Sequence, residues 1–261
     1  MNDRNPPRPV HQDPDETLLW EPPARSVPPA PEPAAPPRTR RARVWRVVKW
    51  VLGILLAYYL FCILLLVVYR FVPPPTTGVR IERRIQALVD GREYEARREW
   101  VDVADLPRHL PRAVIAAEDG RFWQHRGFDF TEMKNAQREA TGGVRIRGAS
   151  TLTQQLMKNL FGCTCRNPVR KLYDLALTPA AELILGKNRI LELYVNEGEW
   201  GDGVYGVAEA AREHYDVSAR RLTRTQSAGL AALLPNPRER TPGNTPEYRR
   251  EILRRMSFRG W

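Results

Sequence analysis

The sequence is poor in the residues that would announce a disulfide-stapled or metal-bound module. Among 261 residues there are three cysteines and four histidines. Cys62 sits inside an apolar run and reads as a small apolar side chain. Cys163 and Cys165 are one residue apart, a spacing that strains a bridge, although an exported context permits one. Two unremarkable thiols and a labile disulfide both stay open. Two thiolates with no other obvious ligands nearby do not make a metal site. No convincing alternating strand run occurs, and no internal repeat, so the folded part reads as mainly α-helical. Acidic residues are in deficit, 30 against 41 lysines and arginines, for a formal net charge of +11. In a soluble protein that excess would point to nucleic acid.

A single long hydrophobic run changes that interpretation. Residues 50–69 contain no charge, enough to cross a hydrocarbon core as a helix. Its apolar side chains go all round, which excludes the one-striped helix of a soluble domain. The run is too long and too deep in the chain for a cleaved signal, and no small-residue cleavage site follows. Arg38, Arg40, Arg41, Arg43, Arg46 and Lys49 precede it, whereas only Arg70 follows closely. The positive-inside rule therefore predicts a cytoplasmic N-terminus and an outer C-terminal part. Trp45, Trp50 and Tyr69 suit the two interfaces. Residues 1–43 hold about half of the chain's 23 prolines with little apolar periodicity, and are expected to be disordered. An anionic membrane surface or a phosphate-bearing lipid is the more economical partner for the positive charge, and nucleic acid is set aside.

Beyond a Pro73-Pro74-Pro75 break, helices are predicted over 77–90, 111–119, 129–141, from Ser150 or Thr151, from Asn167-Pro168, and over 187–196, 207–215 and 225–234. Residues 92–103 are ambiguous, 142–147 read as a mobile basic loop, and Pro179 predicts a kink or break.

Three segments carry candidate chemistry. Glu118 falls in the last turn of an apolar helix, where the dipole and partial desolvation both raise a carboxyl's pKa, as a general base needs. An ordinary capping role for Glu118 and Asp119 is the alternative. Ser150, Gln154, Gln155 and Lys158 share a helix N-terminus and one face, suited to phosphate or sugar hydroxyls, or to solvent alone. Arg166 and Arg170-Lys171 precede Asp174, which is spaced to pair with both cations of that dipeptide. They form either a solvated ion-pair face or a cradle for a pyrophosphate leaving group.

Taken jointly, these segments resemble the signature stretches of the family 51 glycosyltransferases, the peptidoglycan glycosyltransferases. The pattern E-D-x-x-F-x-x-H-x-G is met from Glu118 to Gly127, and G-x-S-T-x-x-Q-Q from Gly148 to Gln155. R-K-x-x-E is met by Arg170 and Lys171, with Asp174 in the acidic slot. Lys187-x-x-Ile190-Leu191-x-x-Tyr194-Val195-Asn196 looks like the fourth stretch, with valine for the usual leucine. His214-Tyr215 and residues 226–235 look like the fifth, with Asp216 where phenylalanine is usual. The likeness covers about residues 77–240 and is closest to the monofunctional biosynthetic transglycosylases.

The resemblance implies a lysozyme-like, two-lobed helical domain over residues 73–261, after a proline-rich cytoplasmic tail (1–43) and a transmembrane anchor with a basic flank (44–72). It implies lipid II and the growing glycan strand as substrates, the inner membrane of a didermal bacterium, and a periplasmic catalytic domain. Glu118 would deprotonate the acceptor 4-hydroxyl. Lys158, Arg166, Arg170 and Lys171 would stabilise departing undecaprenyl pyrophosphate, with Ser150, Gln154 and Gln155 orienting sugars and phosphate and Asp174 setting cation geometry. Some relatives use a divalent cation with the pyrophosphate; the sequence shows no dedicated ligand cluster, so no metal ligand is assigned. Asp174 is a methylene shorter than the usual glutamate, and a misplacement of about 1 Å at a catalytic group costs on the order of a hundredfold. A glycan hydrolase and a non-catalytic scaffold for other wall-synthesis proteins are the competing functions.

Overall fold

The structure, a computed structural model, describes residues 40–141, 150–165 and 167–261. The expected disordered tail up to residue 39, the expected basic loop at 142–147 and Arg166 lie outside the described residues. The described chain is mainly α, with ten helices and one three-stranded sheet.

Helix α1 (Arg40–Tyr69) holds the apolar run, and its span Arg41–Tyr69 has a mean hydropathy of 2.9. Large apolar side chains from Val44 to Val68 stay exposed around it. By length and composition it is able to cross a membrane. Its last turns are different. Cys62, Leu66 and Tyr69 are buried against the folded domain, and the Tyr58 ring stacks on Tyr173. Tyr58 donates to the Phe161 carbonyl (2.8 Å), and Arg189 to that of Tyr69 (2.8 Å). Arg70 reaches the Ile184 carbonyl. Residues 48–261 thus form one compact unit.

The domain begins with α2 (Gly78–Val89), capped by the Thr77 hydroxyl. Its Arg80, together with Arg98, pairs with the buried Glu197. Burial pushes the Glu197 carboxyl up to about 7, against the pull of both guanidiniums. Arg98 belongs to β1 (Arg97–Arg98), which runs parallel to β3 (Val204–Tyr205); β2 (Glu199–Gly201) is antiparallel to β3. The ambiguous 92–103 stretch and the glycine-rich 198–206 loop therefore meet as a small sheet.

The core lies among α3 (His109–Glu118), α5 (Leu152–Phe161), α6 (Pro168–Ile184), α7 (Gly186–Glu197), α8 (Gly206–Tyr215), α9 (Arg224–Ala231) and α10 (Pro246–Phe258). Helix α3 packs on α9 and α10, and α5 on α6 and α7. Leu110, Leu156, Ile190, Leu193 and Leu230 are fully buried there, each contributing about 1.5–3 kcal/mol. Three expectations need correction. Helix α3 opens at His109, two residues before Pro111. Helix α6 runs unbroken through Pro179; one residue earlier, the Thr178 hydroxyl donates to the Asp174 carbonyl (2.8 Å). Helix α10 has no counterpart among the expected helices.

Candidate active site

The adjacent acids of the first motif divide two tasks. Asp119 is buried, and its carboxylate accepts from the Leu152 backbone N–H (2.9 Å) at the start of α5. It also meets His125 Nε2 at 2.9 Å. Since His125 Nδ1 accepts from the Gly127 N–H (3.1 Å), the neutral ring carries its proton on Nε2 and donates it to Asp119. The Gly127 carbonyl in turn accepts from the Thr151 hydroxyl (2.7 Å). Asp119 and His125 thereby bind the loop after α3 to the cap of α5.

Glu118 is spared that duty. It lines a cavity of about 510 Å³, together with Ser150, Gln155, Tyr248, Arg254 and Arg259. Its Oε2 accepts from Gln155 Nε2 (2.8 Å), while Oε1 is shielded from bulk solvent without a hydrogen-bond partner. Burial raises the Glu118 carboxyl above the ordinary range, opposed by the Gln155 hydrogen bond and by the charges of Lys158 and Arg240. The capping alternative thus describes Asp119 and not its neighbour.

Helix α5 starts at Thr151, whose hydroxyl accepts from the Gln154 N–H (3.3 Å). Gln154 is buried, and its amide donates to the Gly127 carbonyl (3.3 Å). From α6, Lys171 Nζ donates to Ser150 Oγ (3.0 Å) and reaches Gln154 Oε1 at 3.5 Å. Arg170 pairs with the buried Asp174 at 2.5 Å and donates through Nε to the Cys165 carbonyl (2.9 Å). Burial pushes the Asp174 carboxyl up, opposed first by Arg170 and then by Lys171 and Lys158. Lys158 is largely shielded and has no ion pair or hydrogen bond among the described residues. Burial, then Arg170, lower its pKa, while Glu118 and Asp174 pull the other way. Lys158 accordingly feels both carboxylates.

The structure brings Glu118, Ser150 and Gln155 to one cavity, and Ser150 links it to Lys171. Lys158, Arg170 and Lys171 do not line it; its cationic wall is Arg254 and Arg255 of α10 with Arg259 at that helix's C-cap. These residues were missed. Thr245-Pro246, a polar residue followed by a first-turn proline, was the available signal. Gly120 belongs to this contact, since a Cβ there would lie 2.5 Å from the Arg259 guanidinium.

Asp119, His125 and Asp129 are the one cluster of metal-ligating side chains among the described residues. It does not fit a cation. The nitrogen facing Asp119 carries a proton rather than a lone pair, Asp119 holds Leu152, and Asp129 caps α4 (Phe130–Thr141) by accepting from the Thr131 and Glu132 N–H groups. Cys163 and Cys165 are joined by a disulfide, and between them Thr164 donates to Glu82.

The remaining motifs are largely structural. Lys187 pairs with Glu182 (2.9 Å) and sits 4.3 Å from the Phe122 ring centre. Asn196 bridges the N–H and carbonyl of Val101, both at 2.9 Å. Asp216 adopts a left-handed conformation (φ 52°) as the cap of α8, which aspartate tolerates better than a bulky aromatic.

The family model described as Transglycosylase matches residues 83–257. A biosynthetic peptidoglycan transglycosylase of Pseudomonas fluorescens SBW25 is 43% identical over 216 residues, 83% of this chain and 86% of its own length. One from P. fluorescens Pf0-1 is 47% identical, covering 67% and 73% of the two chains. Another, from P. aeruginosa PAO1, is 43% identical over 74% and 81%. With a family match running from α2 to α10 and relatives this similar over most of their length, the chain belongs to the transglycosylase family.

Proposed function

We propose that this chain polymerises lipid II into peptidoglycan glycan strands, with Glu118 as the general base. The 4-hydroxyl of the acceptor sugar passes its proton to Glu118, and its oxygen forms the new bond to the anomeric carbon of the donor. The bond from that carbon to the pyrophosphate breaks, with inversion, and undecaprenyl pyrophosphate leaves. The observation that carries this is Glu118 in the cavity wall, with Oε2 held by Gln155 and Oε1 without a hydrogen-bond partner among the described residues. A base with a raised pKa and an unpartnered oxygen is suited to taking a proton near neutral pH.

Lys158, Arg170 and Lys171, with Arg166, are the cations for the charge that develops on the leaving group. Lys158 suits this best, being shielded and without an ion pair or hydrogen bond among the described residues. Asp174, although a methylene shorter than glutamate, holds Arg170. Ser150, fixed by Lys171, faces the cavity and is the hydroxyl placed to meet a sugar. Gln154 serves the substrate indirectly, by holding Gly127 and Lys171. The tail at residues 1–43 lies in the cytoplasm, residues 44–72 anchor the chain in the inner membrane, and residues 73–261 act in the periplasm on lipid II delivered at the outer leaflet.

Detergent-solubilised protein given labelled lipid II should produce long glycan and undecaprenyl pyrophosphate in step, both blocked by a phosphoglycolipid of the moenomycin type. New reducing ends from preformed glycan, without consumption of lipid II, would instead identify a hydrolase.

A further inference from the structure

Glu118 has one hydrogen-bond partner among the described residues, the Gln155 amide, and that amide is itself held. Tyr194, on α7, donates its hydroxyl proton to Gln155 Oε1 at 2.8 Å, and Gln155 Nε2 donates to Glu118 Oε2 at 2.8 Å. A primary amide has a donor end and an acceptor end. Turned about, Gln155 would present its oxygen to the carboxylate, and both would be acceptors. The phenol engages the oxygen end and so favours the orientation with the NH2 on Glu118.

We propose that Tyr194 is a positioning residue for Glu118, acting through Gln155 to keep a hydrogen-bond donor on the carboxylate. The proposal rests on the reading of Glu118 as the base. It also changes the part given to Gln155, whose two polar ends are spent inside the protein and not on sugar or phosphate.

Three further facts favour this arrangement. Tyr194 is buried in the core cluster, so its hydroxyl cannot exchange Gln155 for bulk water without cost. Glu118, Gln155 and Tyr194 come from α3, α5 and α7, three helices that pack around one core, so the chain of bonds is anchored at each end. The other groups facing Glu118 act through charge and not through a hydrogen bond. They are Lys158 from α5, Arg240 after α9, and Asp119 beside it. From α10, Tyr248 donates to the Ala117 carbonyl (3.0 Å) and Arg255 to the Ala116 carbonyl (3.2 Å), which holds the end of α3 but leaves the carboxylate alone.

Tyr194→Phe removes the phenol and little volume. Without it, Gln155 loses its fixed orientation, the ionised form of Glu118 loses a steady donor, and the carboxyl becomes harder to ionise. Turnover of lipid II at neutral pH should fall about tenfold, the scale of a hydrogen bond to a charged group, with KM unchanged. The loss should shrink as the pH is raised. Gln155→Met should give the same profile, and the double variant should be no worse than either alone, because both changes break one chain. Titration of the Glu118 carboxyl, followed by 13C NMR on selectively labelled full-length protein, should move to higher pH in Tyr194→Phe.

An unmoved carboxyl titration, or a loss equal at every pH, would overturn the positioning role. The carboxyl titration reads the hydrogen-bond chain whether or not Glu118 is the base. Retained polymerisation in Glu118→Gln would overturn the base assignment alone.

Discussion

At the residue scale, adjacent side chains in one motif do unlike work. Asp119 and His125 hold backbone, whereas Glu118 has an oxygen to offer. Spacing put Glu118 at the end of an apolar helix, and the burial that raises its pKa is in keeping with that location. The division between Gln154 and Gln155 was not legible, because it depends on Gly127 and Tyr194, which approach from distant parts of the chain. Asn196 gives a test of a purely structural motif residue. It is fully buried and makes two hydrogen bonds to Val101 and one to the Glu192 carbonyl. Asn196→Ala should cost about 2–4 kcal/mol, since it leaves the Val101 groups buried and unpaired. Denaturant unfolding of the solubilised protein measures this; a change below about 0.5 kcal/mol would show that water or a shifted backbone replaces those bonds.

Element by element, the helices with strong signals were legible. Thr77, Thr151 and Asn167 cap α2, α5 and α6 as their side chains suggest. The strands were not, because at two or three residues each they are too short to show alternation. Helix α10 escaped notice for another reason. It buries only Ile252 and Met256, and the rest of its surface is arginine-rich. Glu251 organises that surface by accepting two hydrogen bonds from Arg254 and one from Arg255. These pairings, Arg254 first, hold its carboxyl down at about 2 from an ordinary 4.5. A depressed carboxyl favours the folded state above its unfolded value, and that contribution is lost as the pH falls from 4.5 towards 2. Glu251→Gln should therefore lower Tm slightly at neutral pH and flatten its decline over that acidic interval. An acid limb identical to the parent's would show that the pairings do not contribute to folding.

For the whole molecule, the proposed function joins the excess of positive charge and the one long apolar helix among the described residues in one explanation, an enzyme held at a membrane beside a lipid pyrophosphate. The sequence showed both features. It did not show that the end of α1 is part of the domain, because contacts such as Cys62 with Tyr173 (3.5 Å) join residues over a hundred positions apart. Removal of residues 1–47 should leave the Tm of the solubilised protein within a few degrees of the parent's. Removal of residues 1–69 should lower it well beyond that and cause aggregation without detergent, since Tyr173 and the Phe161 carbonyl lose their partners. Equal stability of the two truncations would mean that α1 is only a tether.

The central claim is that Glu118 takes the acceptor's proton, and Glu118→Gln tests it most directly. The amide keeps the shape of the side chain but cannot act as a base, so lipid II polymerisation should fall by at least about a hundredfold, with binding and Tm unchanged. Polymerisation at the parent's rate by that variant would contradict the account.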